Sequence, residues 1–133
     1  MGRELRGRAA SGSDARPGWV EAARSWSGGG ARVACVGCPR LAEAGGDGVL
    51  ARLGSAVAEG REPPVAELGG DYALAMLADG AAWLAIDRLG THPLYYAGCD
   101  DGGIAFDTSA TRLAATPGVD GRIDPQALYD YLH

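Results

Sequence analysis

The stretch Ala85–Gly98, AIDRLGTHPLYYAG, joins two apolar segments through an acid, an arginine, a glycine and a proline. Asp87 and Arg88 follow the first apolar segment, and Gly90 suits a turn position with positive φ. Pro93 has no amide hydrogen to donate, so it can only open the strand that follows. The order of these residues therefore predicts a strand, a tight turn and a second strand.

The second strand begins with two tyrosines, Tyr95 and Tyr96. Consecutive strand residues point to opposite faces of a sheet, so we expect one ring in the core and the other at an interface. Turn-forming residues need no catalytic role to explain their presence. We therefore interpret the motif from Asp87 to Tyr96 as architectural.

The motif lies within a longer region, residues 71–107, whose pattern predicts four antiparallel strands. Asp79-Gly80 joins two apolar runs and predicts a type I′ hairpin. Asp101-Gly102-Gly103 predicts a second hairpin. Since these strands are almost wholly apolar, we expect both of their faces to be covered by helices or by a second sheet.

The rest of the chain divides into a Gly/Ser-rich beginning and a few short elements. Residues 1–30 are expected to be poorly ordered because of this composition. A strand is predicted at 31–37, and helical spacing of apolar residues predicts a helix within 47–60. Two further helices are predicted at 109–116 and 123–133, the latter with Asp124 as N-cap and Pro125 in its first turn.

Composition limits the classes of function. The chain has 133 residues, a net charge of −5 and 47% hydrophobic residues, which fits one small domain. An acidic chain without a basic cluster argues against a nucleic-acid partner. No apolar run is long enough to span a membrane. Three cysteines, an odd number, fit a reducing compartment, so we expect a cytoplasmic protein.

The order of segments from residue 68 to 133 resembles the N-terminal domain of class B asparagine synthetases, which are class II glutamine amidotransferases. The matching segments are LGGDYALAML (68–77), AIDRLGTHPLYYAG (85–98), GGIAFDTSATRLAATPGV (102–119) and IDPQALYDYL (123–132). The resemblance implies an α+β fold over residues 31–133, a trimmed Ntn-hydrolase-like αββα sandwich with mostly antiparallel sheets. In that family the motif from Asp87 to Tyr96 is a signature of the fold and lies outside the glutaminase centre.

The residues that perform glutamine hydrolysis in that family are missing here. The family's catalytic cysteine follows the initiator methionine, whereas this chain has Gly2. The family's Asn-Gly-Glu loop helps to hold the oxyanion, yet the chain contains no asparagine. Asp47 lies near the position of the acid that grips the glutamine amino group, but its neighbours do not match. The resemblance therefore implies a degenerate glutaminase domain with no assigned catalytic residue.

Similar domains without the cysteine occur in β-lactam synthetases and in lasso-peptide cyclases. By this resemblance, the domain would support an ATP-dependent synthetase domain that forms amides, attached in cis or bound in trans. ATP and Mg would bind to that missing domain, and no cofactor is expected here. Tyr96, His92 and the last helix are the interface candidates, and a homodimer is a further option. Because the last helix has no terminator before His133, we expect truncation relative to a synthetase-fused parent.

Two alternatives stay open. The first is an active glutaminase in which cleavage after Ala34 leaves Cys35 as the N-terminal nucleophile. Against it, little chain would remain before Gly69, and no oxyanion residue would be regained. Without that processing, Cys35 would be a small buried apolar residue on a strand.

The second alternative is a small Cys/His metal-binding module. Cys35 and Cys38 have the spacing of a metal-binding pair, but a zinc site needs two more ligands. The remaining candidates are Cys99, His92 and His133, which occur singly along the chain.

Overall fold

The computed structural model describes residues 4–9, 18–45 and 47–132. Within them the chain forms eight strands and three α-helices. These are β1 Leu5–Ala9, β2 Trp19–Ala22, β3 Arg24–Gly28, β4 Ala31–Arg40, α1 Asp47–Ala58, β5 Gly69–Ala78, β6 Ala81–Ile86, β7 Tyr95–Gly98, β8 Ile104–Asp107, α2 Ala110–Ala114 and α3 Pro125–Leu132. A short 3₁₀ helix, Val65–Glu67, precedes β5. None of the helices in these residues is both long enough and apolar enough to cross a bilayer.

The strands form two antiparallel sheets of four strands each. The first has the order β2-β1-β8-β7 and the second β3-β4-β5-β6. This arrangement confirms the predicted α+β class with mostly antiparallel sheets. Both predicted hairpins form, but β5–β6 belongs to the second sheet and β7–β8 to the first. The quoted stretch, residues 85–98, therefore carries the chain from one sheet to the other.

Side-chain alternation on β4 assigns the two faces of the second sheet. Val33 and Cys35 join the core cluster that includes the apolar face of α1. Ala34 and Val36 join the cluster between the sheets, which also contains Phe106 from β8. A strand buried on both faces explains why the sequence of β4 shows no polar alternation.

A helix lies against the outer face of each sheet. Leu50 and Leu53 of α1 are buried against the second sheet. Leu113 of α2 is buried against Ala105 and Cys99 on the outer side of the first sheet. The molecule is therefore a sandwich of two sheets between two helices, with the main core between α1 and the second sheet.

The prediction that residues 1–30 are poorly ordered is wrong for the residues that the structure describes. They contain β1, β2 and β3, and β1 is an inner strand of the first sheet. Leu5, Gly7 and Ala9 are buried. Gly7 lies directly against the Phe106 ring, where a Cβ atom would not fit. The strand depends on pairing with the distant β8, which local composition does not reveal, so a domain boundary at residue 30 cuts through the sandwich.

Two details of the second half also differ from expectation. The Asp79-Gly80 hairpin does not have the predicted type I′ turn. Such a turn needs positive φ at both central residues, whereas only Gly80 has a positive φ, of 69°. The tyrosines of β7 are both exposed, Tyr95 by 43% and Tyr96 by 71%. Because β7 is a four-residue edge strand, neither ring reaches the core. Gly90, in contrast, has the predicted positive φ, at 62°.

The predicted helices are confirmed with shorter bounds. Ser109 caps α2, since its hydroxyl accepts a hydrogen bond from the Arg112 amide. Asp124 caps α3, because its Oδ1 lies 2.9 Å from the donating Gln126 amide. No residue of α3 is buried.

Candidate functional site

One end of the sandwich brings together the start of β1 and the second half of β4. Only one residue separates the end of β2 from the start of β3, so the chain turns there from the first sheet into the second. Ala22 in β2 pairs with Leu5, and Arg24 in β3 pairs with Cys35. The predicted nucleophile candidate therefore lies at the same end of the molecule as the beginning of β1.

Asp87 organises the turn that follows β6. Its carboxylate is buried and accepts hydrogen bonds from the backbone amides of Tyr72 at 3.2 Å, Leu89 at 2.9 Å and Thr91 at 3.1 Å. The Thr91 hydroxyl donates a further bond at 3.1 Å. Burial would raise the pKa of Asp87, but these hydrogen bonds outweigh it and hold the pKa below its ordinary value. Asp87 thus stabilises the crossover between the sheets.

The remaining residues of the motif complete this crossover. The Gly90 amide donates to the Asp87 carbonyl at 3.0 Å, which closes the turn. Arg88 is exposed beside it, and Pro93 lies just before β7, outside the ladder. None of these side chains meets a cysteine in the described contacts.

A second carboxylate, Asp71, lies at the start of β5 and contacts the crossover loop. Its Oδ2 is 2.9 Å from His92 Nε2. This hydrogen bond is the main cause that lowers the pKa of Asp71. The His92 ring rests on Gly37, where an added Cβ would lie 2.8 Å from Nε2. Gly37 has φ of 85°, and its carbonyl accepts a bond of 2.9 Å from Arg24.

The cysteines do not converge. Cys35 is 1% exposed and faces α1 in the core. Cys38 is exposed and pairs across the ladder with Asp71, yet in the described residues it forms no hydrogen bond with His92. Cys99 is buried near α2.

The metal-binding alternative finds no ligand set in the described residues. Among residues 4–9, 18–45 and 47–132, no group of three or more His, Cys, Asp or Glu side chains could hold a metal ion. His133, one of the proposed ligands, lies outside these ranges, as do Met1 and Gly2. Asp47 begins α1, and its side chain is likewise outside the description.

A network of charges fixes the start of β1. Arg112 of α2 donates to both oxygens of buried Asp107, at 2.6 and 3.0 Å, and to Glu4 at 2.6 Å. These bonds raise the pKa of Arg112 above its ordinary value. The Thr108 hydroxyl accepts a bond from the Leu5 amide at 3.1 Å. The chain entering β1 is therefore anchored to the β8–α2 junction.

Sequence reasoning did not identify the roles of Asp71, Asp107 or Arg112. The segment FDTSATR, residues 106–112, contains a local signal for the Asp107–Arg112 pair. An acid precedes the Ser109 cap, and an arginine lies within the helix. The partner of Asp71, His92, is 21 residues distant in the sequence, and no local pattern indicates the pair. In chemical terms the sandwich end offers ionised carboxylates and one histidine, while Cys35 is enclosed in the core.

Comparison with known proteins identifies the family. The model of the glutamine amidotransferase domain matches residues 51–133, more than half of the chain. The match runs from α1 to the end of the chain and so includes both hairpins and the crossover motif, but neither Cys35 nor Cys38. No curated protein and no solved structure gives a significant match. The chain belongs to the glutamine amidotransferase domain family.

Proposed function

We propose that this glutamine amidotransferase domain has lost glutaminase activity and serves as a structural and interaction domain for an ATP-dependent synthetase domain that forms amides. The parent system would be of the asparagine-synthetase-like type, with β-lactam synthetases and lasso-peptide cyclases as examples. The domain itself would need no cofactor, and ATP and Mg would bind to the partner. We place it in the cytoplasm.

The observation that carries the proposal is the environment of Cys35 in a chain without asparagine. The thiol is 1% exposed and lies within the cluster between β4 and α1, so a glutamine side chain cannot reach it in this fold. An amide-hydrolysing thiol also needs a base and an oxyanion donor. The full sequence contains no asparagine to supply the family's donor.

Processing before Cys35 would damage the sandwich. Cleavage after Ala34 would remove β1, β2 and β3 and divide β4 within its ladder. The first sheet would lose two of its four strands, and the inter-sheet core would lose Leu5. An enzyme made in this way would have to rebuild both sheets, which argues against the alternative.

An exposed apolar surface supports the interaction role. Ile86 is 47% exposed, Leu89 88% and Tyr96 71%. They lie on β6, on the crossover loop and on β7, all close to His92 along the chain. Clustered exposed apolar side chains on a small domain mark a protein contact. We assign the synthetase partner to this surface, which we call the crossover surface.

Co-purification tests this assignment. The chain would be co-expressed with the ATP-dependent amide-forming domain encoded beside or downstream of it, and a tag on that domain would be used for capture. We expect stoichiometric capture of the wild-type chain and loss of capture for Tyr96→Asp. Trp19→Asp, on the opposite edge strand of the same sheet, is the matched control and should be captured like wild type. Failure of the folded wild-type chain to associate would overturn the proposal.

A further inference from the structure

Helix α3 has an apolar surface that its own chain does not cover. Leu128 is 49% exposed, Tyr131 87% and Leu132 65%, and no residue of the helix is buried. The helix has eight residues. Isolated helices shorter than about 12–15 residues are marginal in water, so α3 needs a packing partner to persist.

The same chain has a groove of matching character. A cavity of about 420 Å³ opens between β7, α2 and the segment that leads to α3. Its walls are mainly apolar, with Leu94, Tyr95, Ala97, Leu113 and Val119 among the lining residues. Like the apolar side of α3, this groove is not filled by the chain to which it belongs.

The link between the groove and α3 is short. Gly121 lies so close to α2 that an added Cβ would be 2.7 Å from the Ala114 carbonyl oxygen. The chain therefore leaves the groove wall at Gly121, and α3 begins four residues later at Pro125. Because so few residues join α3 to the groove, the arrangement suits reciprocal exchange, in which the helix of each copy enters the groove of the other copy.

The rim of the groove carries one basic and one acidic side chain, whereas α3 is acidic. The described charges of α3 and its cap are acidic, Asp124 and Asp130. At the rim of the groove, the side chain of Arg122 is 88% exposed and pairs with Asp120 at 2.7 Å. An exposed pair of this kind contributes little stability, so the guanidinium can turn to the acids of an entering helix.

We propose that α3 of a second copy of this chain occupies the groove, and that the exchange is reciprocal in a two-fold dimer. The apolar side of α3 packs against α2 and β7 of the other copy, and Arg122 meets its acidic residues. The dimer contact lies on the α2 side of β7. Tyr96, assigned above to the synthetase partner, pairs with Phe106 in the ladder and also lines the groove. The two proposals are tested by different variants, Tyr96→Asp for the synthetase partner and Leu128→Asp for the dimer.

The mass of the chain in solution, measured by light scattering over a range of concentrations, is the first test. We expect a concentration-dependent dimer. Leu128→Asp alters a side chain that is exposed in the single chain, so the fold should survive while the dimer dissociation constant rises at least about tenfold. Gln126→Ala, on the same helix, is the control and should remain dimeric. A monomer at every concentration, or a dimer unaffected by Leu128→Asp, would overturn the proposal.

Cysteine cross-linking distinguishes exchange of α3 between two chains from packing of α3 into the groove of its own chain. Ala114→Cys and Leu128→Cys would be made in separate chains that carry Cys38→Ser, then mixed and oxidised. Exchange predicts a disulfide-linked dimer that contains one chain of each kind. A second chain would carry both substitutions. If it forms only an internal disulfide at both low and high concentration, α3 packs into its own groove, contrary to the proposal.

Discussion

Asp71 Oδ2 lies 2.9 Å from His92 Nε2, and this contact joins the beginning of β5 to the loop that crosses between the two sheets. Since His92 rests on Gly37, the pair also covers the end of β4. One hydrogen bond thus connects three segments that are distant in sequence, and it does so at the end of the sandwich where β1 begins.

The first prediction concerns the pKa of Asp71. The hydrogen bond from His92 lowers this pKa below its ordinary value of 3.8, so the contact stabilises the folded state above about pH 4 and is lost as pH falls through the folded pKa. In His92→Ala we expect the pKa of Asp71 to rise toward its ordinary value, as measured by an NMR titration of its carboxyl carbon. His92→Gln, which keeps a donor, should retain part of the shift. An unchanged pKa in His92→Ala would contradict the assignment of the cause.

The second prediction concerns Asp87, whose carboxylate accepts bonds from three backbone amides. Because these bonds lower its pKa, its contribution to stability is present at neutral pH and disappears as the group is protonated at acid pH. Asp87→Asn replaces one accepting oxygen by an NH2 group, which can only donate, so the bonds to that oxygen are lost. We expect a lower urea midpoint at pH 7 and a smaller loss of stability between pH 5 and about pH 3 than in wild type.

Asp79→Asn is the matched control for that variant, since Asp79 is an exposed residue of a turn. Its urea midpoint should stay close to that of wild type at pH 7. Equal effects of the two substitutions would mean that the Asp87 bonds do not hold the crossover together.

The third prediction uses two glycines of α1. Alanine normally stabilises a helix relative to glycine, by about 0.4–1 kcal/mol where space allows. At Gly48 the nearest atom to an added Cβ is the Ala44 Cβ at 3.8 Å, so Gly48→Ala should be stabilising. At Gly54 the Trp26 ring occupies that space, so Gly54→Ala should destabilise the fold by about 1–3 kcal/mol through overpacking. Chemical denaturation of both variants checks the opposite signs, and two effects of the same sign would contradict the packing of Trp26 on α1.

Local signals were sufficient for the second half of the fold. Gly90, the cap residue Asp124 and the continuous apolar run of β5 each act through near neighbours, so the sequence pattern predicts their conformation. The pattern is also why the hairpins could be located at Asp79-Gly80 and at residues 101–103.

Features that depend on distant partners could not be predicted in this way. β1 is a strand because it pairs with β8 on one side, and its own composition is rich in arginine and glycine. The type I′ expectation failed because Asp79 does not adopt positive φ. The exposure of both tyrosines of β7 follows from its place at a sheet edge, which only the strand order reveals. The pairs Asp71–His92 and Asp107–Arg112 likewise needed the folded arrangement.

The proposed loss of glutaminase chemistry can be tested on the cysteines themselves. A glutamine-mimicking electrophile that alkylates the thiol of working glutaminases would be incubated with the purified chain, with and without excess glutamine. Cys38 is exposed and could react without specificity, so Cys38→Ser would be treated in parallel. Peptide mapping would then identify any modified residue.

The intact mass after this treatment is the most direct measurement of the central claim. The account predicts no adduct on the Cys38→Ser chain, and for wild type at most a Cys38 adduct that excess glutamine does not prevent. An adduct on Cys35 that glutamine suppresses, on a chain whose N-terminus has become Cys35, would contradict the account and identify a processed, active amidotransferase.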